Sequence, residues 1–130
     1  MPDFTISRID DMEAIYAGAF KRARAQLGVQ SFGMQVIDMP PNAQQYPEHD
    51  HSGDGQEEVF IVLKGSGEIE IDGQRHTIDP ETMVRVGPGS RRKVWPGDDG
   101  MRLLALGGCP GVAYDPPEIS KLGVPGPALG

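Results

Sequence analysis

The feature that most constrains this chain is its dense punctuation by turn-forming residues. Eighteen glycines and 12 prolines occur among 130 residues, and they separate short runs in which apolar and polar side chains alternate. A period of two places successive side chains on opposite faces of a strand. Many short strands between frequent turn signals are typical of a sandwich or barrel. The sequence therefore predicts an all-β fold.

Alternation and turn residues together predict the strand positions. Strands are expected at residues 31–39, 58–64, 68–71, 74–78, 82–86, 92–95 and 101–106. Asp72-Gly73 predicts a tight hairpin of type I′, because both residues tolerate positive φ. Gly65 to Gly67 and Pro96 to Gly100 are interpreted as turns between strands.

The first part of the chain has a different pattern. One helical stripe is expected to hold Ile9, Met12, Ile15, Tyr16, Ala19 and Phe20. It predicts a short helix from about residue 10 to residue 16, and Gly28 stands where a helix would end. Residues 21–27 fit either a continuation of the helix or an edge strand.

These patterns divide one domain into three segments. Residues 1–28 form a helical or edge segment, residues 29–107 form the barrel, and residues 108–130 form a tail rich in proline and glycine. Proline excludes a central strand from the tail. We expect the tail to lie across the barrel or to reach a partner subunit.

Charge and cysteine content limit the function classes. The net charge of −7 disfavours nucleic-acid and anionic-membrane binding. The cluster Arg91-Arg92-Lys93 opposes this trend and is either a solvated face or an anion site. Cys109 is the single cysteine, so no disulfide forms within the chain, and a cytoplasmic location is expected. No apolar run is long enough for a membrane helix, and the first residues lack the pattern of a signal peptide.

Two of the three histidines fall within three residues. His49 and His51 are two positions apart, so in an extended chain both imidazoles point to the same side. Glu58 opens the next predicted strand. Two imidazoles and one carboxylate form a ligand set that suits Fe, Mn, Ni or Zn and leaves coordination positions open. The sequence thus predicts a divalent transition metal site at His49, His51 and Glu58, with Glu57 as a rival ligand on the opposite face.

Here the chain resembles the cupin superfamily. The first cupin motif places a glutamate after a His-x-His pair and a glycine six residues beyond the glutamate. His49-Asp50-His51, Glu58 and Gly65 follow this order, and six residues separate Glu58 from Gly65. Six residues also lie between His51 and Glu58, where the family has three or four, and Ala43 stands near the place of the motif's leading glycine. The resemblance covers residues 30–107 and implies a jelly-roll β-barrel with its ligand in the barrel mouth.

The second cupin motif is degenerate. Gly89 matches the motif's glycine, and Pro88 is displaced by one position. Arg92 falls where the family has a third histidine ligand, and Pro96 falls where it has an asparagine. A guanidinium has no lone pair to donate to a metal.

The replacement leaves two interpretations open. In one, His49, His51 and Glu58 hold the metal, while Arg92 turns away or binds a substrate anion. In the other, the metal is lost, Arg92 pairs with Glu58, and the pocket takes an anionic ligand. A third, purely structural interpretation is that the two histidines are loop residues hydrogen-bonded to backbone.

Two functions follow from the first two interpretations. One is a metal-dependent enzyme, such as a dioxygenase, isomerase or lyase, acting on a small polar substrate that Arg91 or Arg92 orients. The other is a metal-free, non-catalytic module that binds or senses a small molecule. Tyr46, Phe60 and Gln35 are candidate pocket walls by alternation. Cupins commonly pair through sheet edges and tails, so the resemblance also implies a homodimer.

Overall fold

Seven antiparallel strands form most of the regular structure in residues 2–126, the part of the chain that this computed structural model describes. The strands are β1 (Ala14–Ile15), β2 (Phe20–Lys21), β3 (Gly33–Met39), β4 (Glu57–Ile71), β5 (Gln74–Ile78), β6 (Met83–Val86) and β7 (Arg92–Gly108). They pair in the order β1-β2-β3-β7-β4-β5, and β6 pairs with β4. The prediction of an all-β jelly-roll barrel is confirmed.

Strands β4 and β7 are long, and two of the predicted turns lie inside them. The prediction of turns at residues 65–67 and 96–100 is wrong, because both segments belong to continuous strands: Gly65 pairs with Met101, Gly67 pairs with Pro96, and a register shift takes up the residues between these pairs. Gly65 has φ +83°, and a Cβ there would lie 2.2 Å from the carbonyl oxygen of Gly100. The glycine therefore permits a bulge and a close backbone approach, which bend the paired strands around the barrel.

The predicted hairpin at Asp72-Gly73 is confirmed. Both residues have positive φ, 49° and 84°, as a type I′ turn requires. Ile71 and Gln74 face each other as the last pair before the turn.

The helix predicted from residue 10 to residue 16 is not formed. A 3₁₀ turn covers Ile9–Asp11, and the chain then enters β1. Glu13 explains the difference, because its carboxylate accepts hydrogen bonds from Arg22 and from the amide of Gly123, contacts that local periodicity cannot anticipate.

The short helix of this region lies later in the chain. Helix α1 covers Ala23–Leu27, and Gly28 ends it in the left-handed conformation, as predicted. The edge-strand interpretation of residues 21–27 is therefore wrong for most of them, and β2 covers only Phe20–Lys21 and pairs with both β1 and β3. Within residues 2–126 no helix is long and apolar enough to cross a bilayer.

Two apolar clusters lie on opposite faces of the sheet. The barrel interior is lined by buried side chains of strands β3 to β7, namely Met39, Phe60, Val62, Ile69, Ile78, Val86, Val94, Met101, Leu103 and Ala105. Burial of a side chain such as Phe60 or Leu103 contributes roughly 1.5–3 kcal/mol. A smaller cluster, Met12, Ala23 and Val36, seats α1 against the other face of β3.

The tail folds back onto its own chain, as one of the two predicted arrangements requires. Arg22 is 1 % exposed. Its Nε and Nη2 donate to the carbonyl oxygens of Ile119 and Val124, and its Nη1 donates to Glu13. One buried guanidinium thus joins the N-terminal strands to the tail through charge-assisted hydrogen bonds.

Candidate metal centre

The two histidines lie on the connection between β3 and β4, and backbone hydrogen bonds fix their positions. The amide of His49 donates to the carbonyl of Arg92, and the amide of Arg92 donates back to His49. The amide of His51 donates to the carbonyl of Pro88. The connection is therefore pinned to the start of β7 and to the turn before it, which sets both imidazoles at the barrel mouth.

Each imidazole has its Nδ1 next to an acceptor. Nδ1 of His49 lies 2.9 Å from the carbonyl oxygen of Pro47, and Nδ1 of His51 lies 3.1 Å from a carboxylate oxygen of Asp54. The Pro47 carbonyl and the ionised Asp54 carboxylate can only accept hydrogen bonds, so each Nδ1 atom is the donor and carries the ring proton. In the neutral rings the lone pair then sits on Nε2.

Glu58 is the second residue of β4 and lies between β6 and β7. It pairs with Val86 on one side and Gly107 on the other. A Cβ on Gly107 would lie 3.5 Å from Cγ of Glu58 and 2.5 Å from the side-chain oxygen of Gln56. The absence of a side chain at Gly107 therefore makes room for the Gln56 side chain, whereas Glu58 would be in ordinary contact.

The three side chains meet at their ligand atoms. Nε2 of His49 lies 3.6 Å and Nε2 of His51 lies 3.1 Å from Oε1 of Glu58. One ligand atom from each residue lies within 4.8 Å of the others. Nε2 of His51 and Oε1 of Glu58 are buried and have no hydrogen-bond partner, since the contact between them is close but not aligned. A cation between these atoms would satisfy them.

The electrostatics of the cluster agree with this geometry. The contact with the Glu58 carboxylate raises the pKa of His49, burial opposes the shift, and the Pro47 carbonyl adds to it. A positive charge at Nε2 of His49, supplied by a proton or a metal ion, is thus stabilised by the negative charge of Glu58.

Arg92 lies behind Glu58 rather than between the histidines. Its side chain is fully buried, and its Nη2 donates to the carbonyl oxygens of Val86 and Gly87. Its Nε lies 3.3 Å from Oε1 of Glu58, which is within ion-pair distance but lacks the alignment of a hydrogen bond. Nε and Nη1 are consequently enclosed without hydrogen-bond partners. The guanidinium supplies charge next to the cluster without occupying its centre.

The other residues suggested as pocket walls lie at different distances from the cluster. Tyr46 is next to it, with a ring centroid 5.8 Å from that of His49. Burial raises the pKa of Tyr46, and the charge of Glu58 adds to the shift. Phe60 is 1 % exposed and follows Glu58 on the same face of β4, where it forms the floor.

Gln35 and Arg91 point elsewhere. In the amide orientation that satisfies both of its polar ends, the Gln35 nitrogen donates to the carbonyl oxygens of Lys21 and Met34. The Arg91 side chain is half exposed, and its Nε lies 3.7 Å from a carboxylate oxygen of Glu48. Neither side chain has a contact with the three ligand residues in this structure.

Asp54 is a residue of the site that the sequence reasoning did not identify. Burial opposes the shift, but the Gln56 amide and the His51 ring hold the pKa of Asp54 below its ordinary value. Its spacing of three residues after His51, inside the lengthened loop, was the available signal. A carboxylate on Nδ1 of a ligating histidine orients the ring and strengthens it as a ligand.

Comparisons with known proteins identify the fold. A family model described as a cupin domain matches residues 35–107. A cupin protein from Bacteroides fragilis is 17 % identical with a TM-score of 0.69, and the match covers 90 % of this chain and 93 % of that one. KdgF from a Halomonas species is 13 % identical with a TM-score of 0.63, covering 82 % and 93 %. A predicted oxalate decarboxylase from Thermotoga maritima is 20 % identical with a TM-score of 0.52, covering 58 % and 64 %. No curated protein matches the chain.

Proposed function

Since the chain belongs to the cupin family, we propose that it binds a divalent transition metal through His49, His51 and Glu58 and holds a small polar or anionic molecule at the barrel mouth. Fe, Mn, Ni and Zn all accept this ligand set. The ligand atoms would be Nε2 of both histidines and Oε1 of Glu58. Three protein ligands leave coordination positions free for the small molecule.

The convergence of three acceptor atoms carries this proposal. Both Nδ1 atoms are committed to donation, so the Nε2 lone pairs of the neutral histidines and the Glu58 carboxylate face one another. A positive charge among these atoms, either a metal ion or a proton on an imidazole, stabilises the arrangement. The Asp54–His51 contact is the outer support that metal-ligating histidines usually have.

Arg92 limits the site to three protein ligands. It stands where the family has its third histidine, and it cannot coordinate. When a metal is bound, its charge polarises oxygen atoms of the bound molecule. Tyr46 packs beside His49, and the buried Phe60 follows Glu58 on the same face of β4, so both would form apolar walls next to the bound molecule.

The contact between Arg92 and Glu58 favours a second candidate function. Within the 3.3 Å pair, the guanidinium partly neutralises the carboxylate without a metal. A protein of this kind would be a non-catalytic binding or sensing module with a metal-free pocket. Metal content separates the two candidates.

Metal analysis of the purified protein, before and after reconstitution with each metal, tests the proposal. The wild-type chain should hold about one equivalent, and His51→Ala should lose at least tenfold in affinity because a ligand is removed. His76→Ala is the matched control, since His76 is exposed on β5. Less than about one-tenth equivalent after reconstitution, or full occupancy in His51→Ala, contradicts the metal site.

We further propose that the chain forms a homodimer and works in the cytoplasm. Apolar side chains on its surface support the first point: Phe4 and Ile6, in the extended N-terminal segment, are 69 % and 86 % exposed, and Met83 on β6 is 76 % exposed. Exposed apolar side chains of this kind are removed from water when two copies associate through them. The single cysteine agrees with a reducing compartment.

A further inference from the structure

A second cavity lies at the rim of the barrel, apart from the three metal-ligand candidates. It has a volume of about 580 Å³ and is open to solvent on one side. The connection between α1 and β3 forms one wall, and the tail forms the other. Its lining residues are Arg24, Gln30, Ser31, Ala113, Tyr114 and Pro116.

Arg24 brings a buried positive charge to this cavity without a matching negative one. It is 9 % exposed, and its Nη1 donates to the carbonyl oxygen of Val29. Its Nε is enclosed and has no hydrogen-bond partner, and no carboxylate of residues 2–126 forms an ion pair with it. The neighbouring buried Arg22, in contrast, pairs with Glu13.

An unpaired buried guanidinium is costly. Charged groups away from water are stable when an opposite charge or several hydrogen bonds compensate them. Nη2 of Arg24 makes no hydrogen bond to the described residues and, unlike Nε, is not enclosed, so it can donate to an oxygen of a carboxylate or phosphate. An oxyanion is therefore the kind of ligand that would compensate the charge of Arg24.

Tyr114 adds a neutral donor to the same wall. Its hydroxyl lies against Gly33, where a Cβ would come within 2.7 Å of the oxygen. Burial raises the pKa of Tyr114, although the charge of Arg24 opposes the shift, so the hydroxyl keeps its proton. Ser31 and Gln30 place two further polar side chains on the lining.

The cavity is next to the barrel mouth but separate from it. Gly33, Gly107 and Glu58 form one row across β3, β7 and β4. Two strand spacings correspond to about 10 Å, which separates the backbone of Glu58 from that of Gly33, the residue next to the Tyr114 hydroxyl. A small group bound by Arg24 would therefore not touch the metal ligands.

We propose that this cavity is a binding site, which takes a small oxyanion, a carboxylate or phosphate group, on Nη2 of Arg24 with a hydrogen bond from the Tyr114 hydroxyl. The site does not depend on a metal at His51. Its oxyanion belongs to a free anion or to a small molecule that carries the group.

Titration of the metal-free protein with inorganic phosphate and, separately, with acetate tests the proposal, with chloride holding the ionic strength constant. Amide and arginine side-chain NMR signals report the site. Saturable shifts should appear at Arg24 and Ser31, and the stronger of the two titrations identifies the preferred group. Shifts spread over the surface, or no saturation with either anion, overturn the proposal.

Substitutions locate the binding. Arg24→Gln should weaken it by about tenfold or more, because a charge-assisted hydrogen bond is lost. Tyr114→Phe, which leaves the packing intact, should weaken it severalfold. Arg8→Gln is the charge-matched control, since the Arg8 side chain is 85 % exposed. Unchanged binding in Tyr114→Phe and in folded Arg24→Gln refutes the site, and if Arg24→Gln does not fold, Tyr114→Phe decides alone.

The metal proposal and the oxyanion proposal fail separately. His51→Ala should lose metal and keep phosphate or acetate binding, whereas Arg24→Gln should keep metal. Loss of oxyanion binding in His51→Ala would place the anion at the metal cluster and overturn the second site.

Discussion

Glu58→Gln is the substitution for which the structure gives the clearest magnitude. It removes the negative charge that faces the fully buried Arg92 guanidinium at 3.3 Å and retains the shape of the side chain. Two unit charges at that distance interact by about 5 kcal/mol with an effective dielectric constant of 20. Breaking a buried pair usually costs about 3–5 kcal/mol. Because the contact is not aligned and the Glu58 side chain is 14 % exposed, we expect about 3 kcal/mol.

Urea and thermal unfolding of the metal-free protein measure this loss. A cost of about 3 kcal/mol in a domain of this size corresponds to a fall in Tm of roughly 10 °C. Glu57→Gln is the matched control, because the Glu57 carboxylate pairs with Arg85 at the surface, where both side chains are largely exposed. The control should lose less than about 1 kcal/mol.

A double substitution separates charge from metal binding. Replacing both partners, Glu58→Gln with Arg92→Met, should recover stability relative to Glu58→Gln, because no buried charge is left unpaired. It should not recover metal binding, because the carboxylate charge is gone and the neutral amide oxygen that replaces it is a weaker ligand. If the free energy of unfolding of Glu58→Gln lies within about 0.5 kcal/mol of the wild-type value, Arg92 and Glu58 do not interact as the structure indicates.

Three further predictions concern the frame around the site. Gly65→Ala should lower the free energy of unfolding in urea by at least about 3 kcal/mol, since positive φ and the backbone of Gly100 both exclude a Cβ. A Cβ at the control position Gly53 meets no atom within 4 Å, so Gly53→Ala should cost far less. Equal losses in the two variants would contradict this account of the bulge. Burial raises the pKa of Asp38, but hydrogen bonds led by Arg102 outweigh burial and lower that pKa below 3.8. The stability that this ion pair contributes is present above about pH 4 and is lost as pH falls through the pKa of Asp38 in the folded protein. Asp38→Asn should therefore show a smaller loss of stability on acidification, and an unchanged pH profile would count against the ion pair. Size-exclusion chromatography with light scattering should give a dimer, and a species of 14 kDa would rule it out.

The positions of the strands could be predicted from the sequence, but it could not be predicted that β4 and β7 continue where turns were expected. Glycine in a strand pattern indicates that backbone comes close or φ turns positive, and it does not say which. Asp72-Gly73 turns the chain, whereas Gly65 makes a bulge inside β4. Only the partner strand, with Gly100 opposite, distinguishes them. Similarly, Glu13 falls inside the helix predicted for residues 10–16, yet its contact with Arg22 is made through tertiary structure.

The three ligand candidates could be found by spacing, and their surroundings could not. The register from Glu58 to Gly65 selects Glu58 rather than Glu57, and the structure places Glu58 next to His49 and His51. Counting also locates Arg92 at the missing ligand position, but its direction depends on the carbonyls of the turn before β7. Arg24 and Tyr114 are 90 residues apart in the sequence, so no local pattern relates them.

Anomalous X-ray diffraction from crystals of the reconstituted protein tests the central claim most directly. The account predicts one metal peak about 2.0–2.2 Å from Nε2 of His49, Nε2 of His51 and Oε1 of Glu58, with Arg92 remaining behind the carboxylate. A peak that lacks any of these three atoms, or no peak at the barrel mouth in a protein reconstituted with each metal, would contradict it.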